Sequence, residues 1–345
     1  MAFNIQKAKV IGVYSVAHAI VDFCCAAVIY SFIGSADTGF LLKLVVLYNI
    51  LAFGLQSVFG LVVDKYNLPR KAAIFGCLFL ILGLCLYNKP LYTIVLMGIG
   101  NALFHVGGGL ISLRLGNGRA KLPGVFVAPG AIGLFLGTML WKYTFIDNIW
   151  LAFFPLLAMA MIFFTKMNDE EQFVFENRAS LPCYYAIVLM LIFAIAIRSF
   201  VGLSYDFTAK ENIQLMTIFI LGAAFGKFAG GFIADKFGMF RTALIGLFLS
   251  IPCLKFGYIP QFAIIGMFLF NLTMPITVTA LANMMPNYKG FAFGLTTLAL
   301  LFGYLPVYAK FKVAAQSIFL FEIILVSAIV MSIALYLYEK LFNRP

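Results

Sequence analysis

Residues 60–71 read Gly60-Leu61-Val62-Val63-Asp64-Lys65-Tyr66-Asn67-Leu68-Pro69-Arg70-Lys71, and residues 231–241 read Gly231-Phe232-Ile233-Ala234-Asp235-Lys236-Phe237-Gly238-Met239-Phe240-Arg241. Both fit Gly-x-x-x-Asp-Lys-(Tyr/Phe)-(Asn/Gly)-x-x-Arg, and the two aspartates stand about half a chain apart. Each copy closes one long apolar run and precedes another, the mark of a chain built from two equivalent halves. The residue types suit a tight turn between helices. Glycine admits a neighbouring helix, and Asn67 or Gly238 can take the left-handed conformation that ends a helix. The aspartate can then accept N–H groups at the start of another helix.

Outward from these loops, the chain has 345 residues, 63% apolar and 11% charged. A soluble domain carries roughly a quarter charged residues, so an ordinary globular protein is excluded. A single-span protein is excluded too, because the apolar runs cover nearly the whole length. They fall at 10–32, 40–63, 72–88, 91–113, 122–141 and 149–165, then at 183–203, 213–234, 242–258, 260–284, 291–309 and 315–338. Spans of about 21 residues use roughly 250 positions, which leaves no room for a separate soluble domain. The expected fold is an all-α membrane protein with twelve transmembrane helices in two pseudo-symmetric six-helix bundles. The N-terminal bundle occupies 1–165 and the C-terminal bundle 182–345. Between them, 166–181 is a cytoplasmic linker carrying Asp169, Glu170, Glu171 and Glu176.

The formal charge of +11 lies mostly in short basic clusters between apolar runs, not on one face, which argues against nucleic-acid binding. Placing the N-terminus inside puts the basic residues on that side about two to one. The reading is therefore a multi-pass protein of the cytoplasmic membrane with both termini cytoplasmic. The first apolar run lacks a small-residue cleavage site and is read as a span, not a removable signal. Cys24, Cys25, Cys77, Cys85, Cys183 and Cys253 show no metal-ligand or redox spacing and read as small apolar filler. No cofactor and no metal are expected.

The repeated loop resembles the signature loop of the major facilitator superfamily, which follows its second and eighth spans. That resemblance implies two six-helix bundles around a cavity open alternately to each side. It also implies a cytoplasmic latch formed by Gly60, Asp64, Lys65 and Arg70 and by Gly231, Asp235, Lys236 and Arg241, with the arginines as the aspartates' partners. Asn67 stands where the family usually has glycine. The fifth span reads Gly124-Val125-Phe126-Val127-Ala128-Pro129-Gly130-Ala131-Ile132-Gly133, followed by Gly137. It resembles the family's fifth-helix motif associated with exporters. Small residues let helices approach closely and proline bends them. Pro129, Gly130, Gly133 and Gly137 are thus expected to form a sliding seam with Gly222, Gly226 and Gly230 of the eighth span.

Charged groups at membrane depth cost a few kcal/mol, so each is a functional candidate. His18 and Asp22 are four apart on one face of the first span. The fourth span brings His105, with Asn101 one turn away. The second half supplies Arg198 in the seventh span, Lys227 in the eighth and Asn271 in the tenth. Asn271 is followed by Thr273, Pro275, Thr277 and Thr279, where a proline among hydroxyls can open the helix backbone to a cavity. A carboxylate beside histidines can take and release protons near neutral pH, and a permanently charged arginine suits an anionic group. Plainer readings stand beside these: Asp22 and Arg198 as a structural ion pair, His105 as a packing residue, Lys227 snorkelling to the surface and Glu322 at the interface. Asn49 and Gln56, seven apart on the second span, read equally well as a packing pair.

His18-x-x-x-Asp22, Leu103-Phe104-His105, Arg198-Ser199 and the stretch from Pro275 to Gly303, including Pro286 before Gly290-Phe291-Ala292-Phe293-Gly294, resemble the fosmidomycin-resistance-like branch of the superfamily. That branch usually has proline after Phe-His, where this chain has Val106 and Gly107-Gly108-Gly109. The expected function is a secondary active transporter moving a small anionic or zwitterionic solute by alternating access, coupled to protons. A proton-driven drug or antibiotic exporter is the nearer alternative. A non-transporting sensor, or a membrane enzyme using a di-histidine metal site, is the more distant one. An enzyme is not expected, because no nucleophile or cofactor motif accompanies the histidines. The expected partners are a small-molecule substrate, protons and the lipid bilayer, with the chain acting as a monomer.

Overall fold

A computed structural model of the chain describes residues 5–32, 38–143, 148–166, 183–309 and 317–342. Apart from Lys166, the expected linker lies outside the described residues. The first half contains α1 (Ile5–Ser31), α2 (Thr38–Asn49), a π-helical segment (Ile50–Gly54), α3 (Leu55–Tyr66), α4 (Pro69–Cys85), α5 (Pro90–Gly116), α6 (Lys121–Tyr143) and α7 (Asn148–Phe164). The second contains α8 (Tyr184–Ser204), α9 (Ile213–Phe237), α10 (Met239–Lys255), α11 (Pro260–Asn271), α12 (Thr273–Met284), a 3-10 turn (Pro286–Tyr288), α13 (Lys289–Tyr308) and α14 (Ile318–Phe342). Among the described residues 9 helical stretches are long and apolar enough to cross a membrane. In one the π-helical segment joins α2 to α3, and in another α11 runs into α12. Helices α4, α7 and α10 are 17 residues each, at the short end of spanning length.

Lipid admits only helices and closed barrels, because the backbone must satisfy its own hydrogen bonds there, and continuous apolar runs of about 20 residues take the helical form. Large apolar side chains such as Phe153, Phe163, Leu189, Phe225 and Ile245 point outward, while Ser15, His18, Gln56, Asn101, Arg198 and Thr277 are buried. Hydrocarbon as solvent gives this distribution, because it rewards exposed apolar surface and penalises exposed polar groups. Punctuation is local. Pro69 and Pro260 open α4 and α11 where a missing N–H costs nothing, and the Asn212 side chain accepts from the N–H groups of Gln214 and Leu215 at 3.0 and 3.1 Å.

The chain forms two compact units. Unit 1 comprises 1–115, 125–173 and 288–294; unit 2 comprises 116–124, 174–287 and 295–345. In unit 1, α7 packs against α1 and α4; in unit 2, α14 packs against α8 and α10. These are corresponding positions in the two halves, so the repeat visible in the loops extends to helix packing. Unit 1 is filled by Tyr14, Leu80, Met97, Phe104, Leu110 and Phe126, and unit 2 by Ile187, Leu191, Leu247, Leu254, Ile276 and Leu335. Glycines set the close approaches: a Cβ on Gly76 of α4 would lie 2.5 Å from the Phe104 nitrogen of α5.

Candidate functional site

Within unit 1, α1 and α5 bring four polar side chains into one cluster. His18 Nε2 lies 3.2 Å from Asp22 Oδ2, and His105 Nε2 lies 3.5 Å from Asp22 Oδ1. Asn101 Nδ2 donates to Asp22 Oδ1 at 3.4 Å and to Cys25 Sγ at 3.7 Å. The two histidine Nε2 atoms are 2.9 Å apart, with the rings at 89°. His18 is 5% exposed, and the Asp22 side chain is 19% exposed, so the cluster is nearly dry.

The outer nitrogens determine the protonation pattern. His18 Nδ1 is 2.7 Å from the Phe126 carbonyl, and His105 Nδ1 is 2.9 Å from the Asn101 carbonyl. A carbonyl only accepts, so each Nδ1 carries its hydrogen. Both Nε2 atoms then present lone pairs to each other. At 2.9 Å that arrangement calls for a cation between them, and the adjacent carboxylate favours one.

Helix α6 supplies the wall of this site, and Pro129 explains how. Proline has no N–H, so the Val125 carbonyl one turn earlier lacks its helical partner. Ser15 Oγ donates to that carbonyl at 3.1 Å, and one residue further on His18 takes the Phe126 carbonyl. The His18 ring stacks on Phe126 at 4.6 Å between centroids. A Cβ on Gly130 would lie 2.5 Å from His18 Nε2 and 2.6 Å from Asp22 Oδ2. Gly130 therefore keeps open the space beside the cluster.

This face of α6 corrects the seam expected from the sequence. Cβ atoms on Gly133 and Gly137 would meet the carbonyls of Ala19 and Phe23 on α1. Those on Gly222 and Gly226 would meet Ile264 and Phe268 of α11, and one on Gly230 would meet Leu272 just after it. Each stripe thus packs inside its own unit. The helical period puts Phe126, Gly130, Gly133 and Gly137 on one side of α6, and α1 covers that side. The fifth and eighth spans do approach, at Gly124 and Gly231: a Cβ on Gly124 would lie 2.9 Å from the Lys227 carbonyl, and one on Gly231 2.4 Å from the Ala120 carbonyl.

The repeated loops form a matched pair. Asp64 accepts from the N–H groups of Gly290 (3.0 Å) and Phe291 (2.8 Å) at the start of α13. Asp235 accepts from those of Ala120 (2.7 Å) and Lys121 (3.1 Å) at the start of α6. A carboxylate at a helix N-terminus satisfies orphan donors and the helix dipole together. Asn67 takes φ 53° and ψ 51°, the left-handed helical conformation that asparagine tolerates. Gly238 has φ 94° and ψ 148°, a region close to glycine's own. That difference explains why asparagine serves in the first copy. The arginines are not the aspartates' partners as expected. Arg70 donates to the Phe163 carbonyl at the end of α7, and the cations acting on Asp64 are Arg114 and Lys289. On Asp235 they are Arg119 and Lys121. Arg70 sits at the start of α4, where its guanidinium meets the negative end of another helix.

In unit 2, Arg198 is 5% exposed. Its Nη2 donates to the Phe270 carbonyl at 3.5 Å and its guanidinium lies 5.3 Å from the Phe270 ring centroid, while Nε has no partner among the described residues. No carboxylate lies within ion-pair reach of it among the described residues. The helix break at Leu272, between α11 and α12, frees the local backbone near Pro275, and Thr273 Oγ1 also donates to the Phe270 carbonyl at 2.9 Å. Asn271 turns back on its own helix, donating to the Met267 carbonyl at 2.9 Å. Lys227 is half-buried on α9.

Sequence reasoning missed three features. Gly130 reads as a packing glycine, yet it borders the cluster. The π-helical turn after Asn49 has no motif; near it Gln56 is fully buried, with Oε1 unpartnered. Glu339 of α14 accepts from the Phe240 N–H at 2.9 Å, a cap that no motif around it announces.

No known family profile matches the sequence, and no curated protein is similar to it in sequence. The fold is similar to that of solved transporters. The E. coli fucose:proton symporter FucP aligns with TM-score 0.70 at 10% identity over 99% of both chains. The human organic anion transporter MFSD10 (TETRAN) aligns with TM-score 0.70 at 12% identity, covering 96% of this chain and 99% of that one. A bacterial homologue of the iron transporter ferroportin, in an outward-facing state, aligns with TM-score 0.66 at 10% identity, covering 98% and 100%. FucP is described as a major facilitator superfamily transporter. The chain is a multi-pass helical membrane protein with the major facilitator fold.

Proposed function

We propose that this protein is a secondary active transporter that moves a small anionic or zwitterionic organic solute across the cytoplasmic membrane by alternating access, coupled to protons. The buried His18–Asp22–His105 cluster carries the reading. Its two Nδ1–H groups are committed to carbonyls, and its two Nε2 atoms share a space beside a carboxylate that suits one proton. Arg198 supports the anionic character of the cargo. It is a buried guanidinium with an unpartnered Nε, and arginine holds carboxylates and phosphates in a planar fork. The solved transporters of similar fold are named for fucose with protons, for organic anions and for iron, so the fold leaves the cargo open.

The test begins with a thermal-shift screen of metabolites and antibiotics on the purified protein, followed by transport assays in proteoliposomes under an imposed pH gradient. A ligand from the screen should be driven by the gradient, and Asp22→Asn should abolish that drive while leaving ligand binding measurable. If the gradient is without effect on every transported ligand, or if Asp22→Asn retains full coupling, proton coupling at this cluster is wrong.

A further inference from the structure

The polar cluster of unit 1 has the geometry of a coordination site. We infer that His18, Asp22 and His105 bind one divalent transition-metal cation of the Zn²⁺ class. Nε2 of each histidine and the carboxylate of Asp22 are the ligands. The inference stands on this geometry and is independent of the organic cargo proposed above.

The distances support it first. Zn²⁺-class ions hold imidazole nitrogen and carboxylate oxygen at about 2.0–2.2 Å, which puts neighbouring ligand atoms in a tetrahedral site about 3.3–3.6 Å apart. Here the two Nε2 atoms stand 2.9 Å apart, and Asp22 presents Oδ2 at 3.2 Å from His18 Nε2 and Oδ1 at 3.5 Å from His105 Nε2, so its carboxylate edge faces both imidazoles. An ion placed among these atoms needs only small side-chain adjustments. The second support is orientation. Each histidine gives its Nδ1–H to a backbone carbonyl, which fixes the tautomer and aims the Nε2 lone pair inward. Asn101 holds the carboxylate from outside. The third is space. Gly130 lacks the Cβ that would stand 2.5–2.6 Å from two of the ligand residues.

Three protein ligands leave a fourth position for water or a bound anion. Two imidazoles and one carboxylate favour Zn²⁺, Co²⁺ or Ni²⁺ over Mg²⁺ and Ca²⁺, which prefer oxygen ligands throughout. Metal and proton are alternative occupants, because both sit between the same two Nε2 atoms. Among the described residues, Cys25 adjoins the cluster and hydrogen-bonds with Asn101 and Tyr48, with Cys24 and Cys77 beside it in turn.

The test uses the full-length protein, purified in detergent without a polyhistidine tag and stripped of metal. Co²⁺ titration should give the visible bands of a low-coordinate site, and Zn²⁺ calorimetry should give one ion per chain. Mg²⁺ should give no heat. His105→Ala, His18→Ala and Asp22→Asn should each weaken Zn²⁺ at least tenfold, and Asn101→Ala should weaken it about tenfold as an outer-shell change. Thermal melting in the absence of metal identifies variants that fail to fold; for any that do, the wild-type Co²⁺ spectrum decides the matter alone. A folded wild-type protein without Co²⁺ bands, or a His18→Ala/His105→Ala double variant that binds Zn²⁺ as the wild type does, overturns the inference. Absent metal binding with proton-driven transport intact would sink this inference alone. Metal binding with gradient-indifferent transport would leave it standing and sink the proton reading.

Discussion

Arg198 combines full burial with a guanidinium that meets only the Phe270 carbonyl and ring within its own unit. Keeping such a charge out of water costs several kcal/mol unless a partner arrives, and an anionic cargo would be that partner. Arg198→Lys keeps the charge but loses the planar fork. For a ligand found by the thermal-shift screen, it should raise KM at least tenfold, about 1.4 kcal/mol, while Asp22→Asn acts on gradient coupling instead. Equal KM values for Arg198→Lys and wild type would remove Arg198 from the binding role. At this scale the sequence is informative about residue type and helical face. His18 and Asp22 are four apart, so the 3.6-residue period alone puts them together. His105 is 87 positions from His18, and no periodicity relates two different spans.

Helix α6 shows how one element holds a site. The face Phe126–Gly130–Gly133–Gly137 is covered by α1, and Pro129 releases the carbonyl that Ser15 takes. Gly133→Leu puts a side chain where even a Cβ would lie 2.0 Å from the Ala19 carbonyl. Overpacking of this kind typically costs about 1–3 kcal/mol, and the backbone contact here places it at the upper end. The measurement is thermal melting in detergent, where Gly133→Leu should melt well below the wild type and Gly12→Leu, with open space around it, should not. Comparable melting of the two variants would contradict this account of the α6 face. The aspartate caps of the repeated loops give a second test. Asp235→Ala leaves the N–H groups of Ala120 and Lys121 without their acceptor, at a cost of about 1–2 kcal/mol in the range of lost helix caps. Asp235→Asn keeps one acceptor oxygen and should fall between Ala and wild type in melting temperature. A melting temperature unchanged by Asp235→Ala would show that this cap carries no stability. The motif reading points to the aspartates, but it assigns them the wrong cations. Which basic side chain lies near a carboxylate depends on where the next helix begins, and the motif contains no information about that.

For the whole molecule, we propose that both termini lie on the cytoplasmic side, the orientation that the distribution of basic residues favours. Fusing a fluorescent protein that matures only in the cytoplasm to Pro345 should give a fluorescent cell membrane, and alkaline phosphatase at the same position should be inactive. The reverse pattern would invert the topology. The repeat organises the molecule at this scale as well. α7 packs on α1 and α4 as α14 packs on α8 and α10, and Asp64 and Asp235 each cap the start of a helix from elsewhere in the chain.

The sequence by itself determined the membrane environment, the helical class and the duplication, because hydropathy and motif spacing are sums over neighbouring residues. It also determined which polar groups interrupt the apolar runs, since a charge in an apolar run is visible without coordinates. Only the tertiary structure decided that His18, Asp22, Asn101 and His105 form one cluster, that Gly130 leaves room beside it, and that the glycine stripes pack within each unit. Those outcomes depend on how α1, α5 and α6 approach each other. Close packing, a carbonyl released by Pro129 and the absence of a Cβ set that approach, and each acts across distances in the chain that no local pattern encodes.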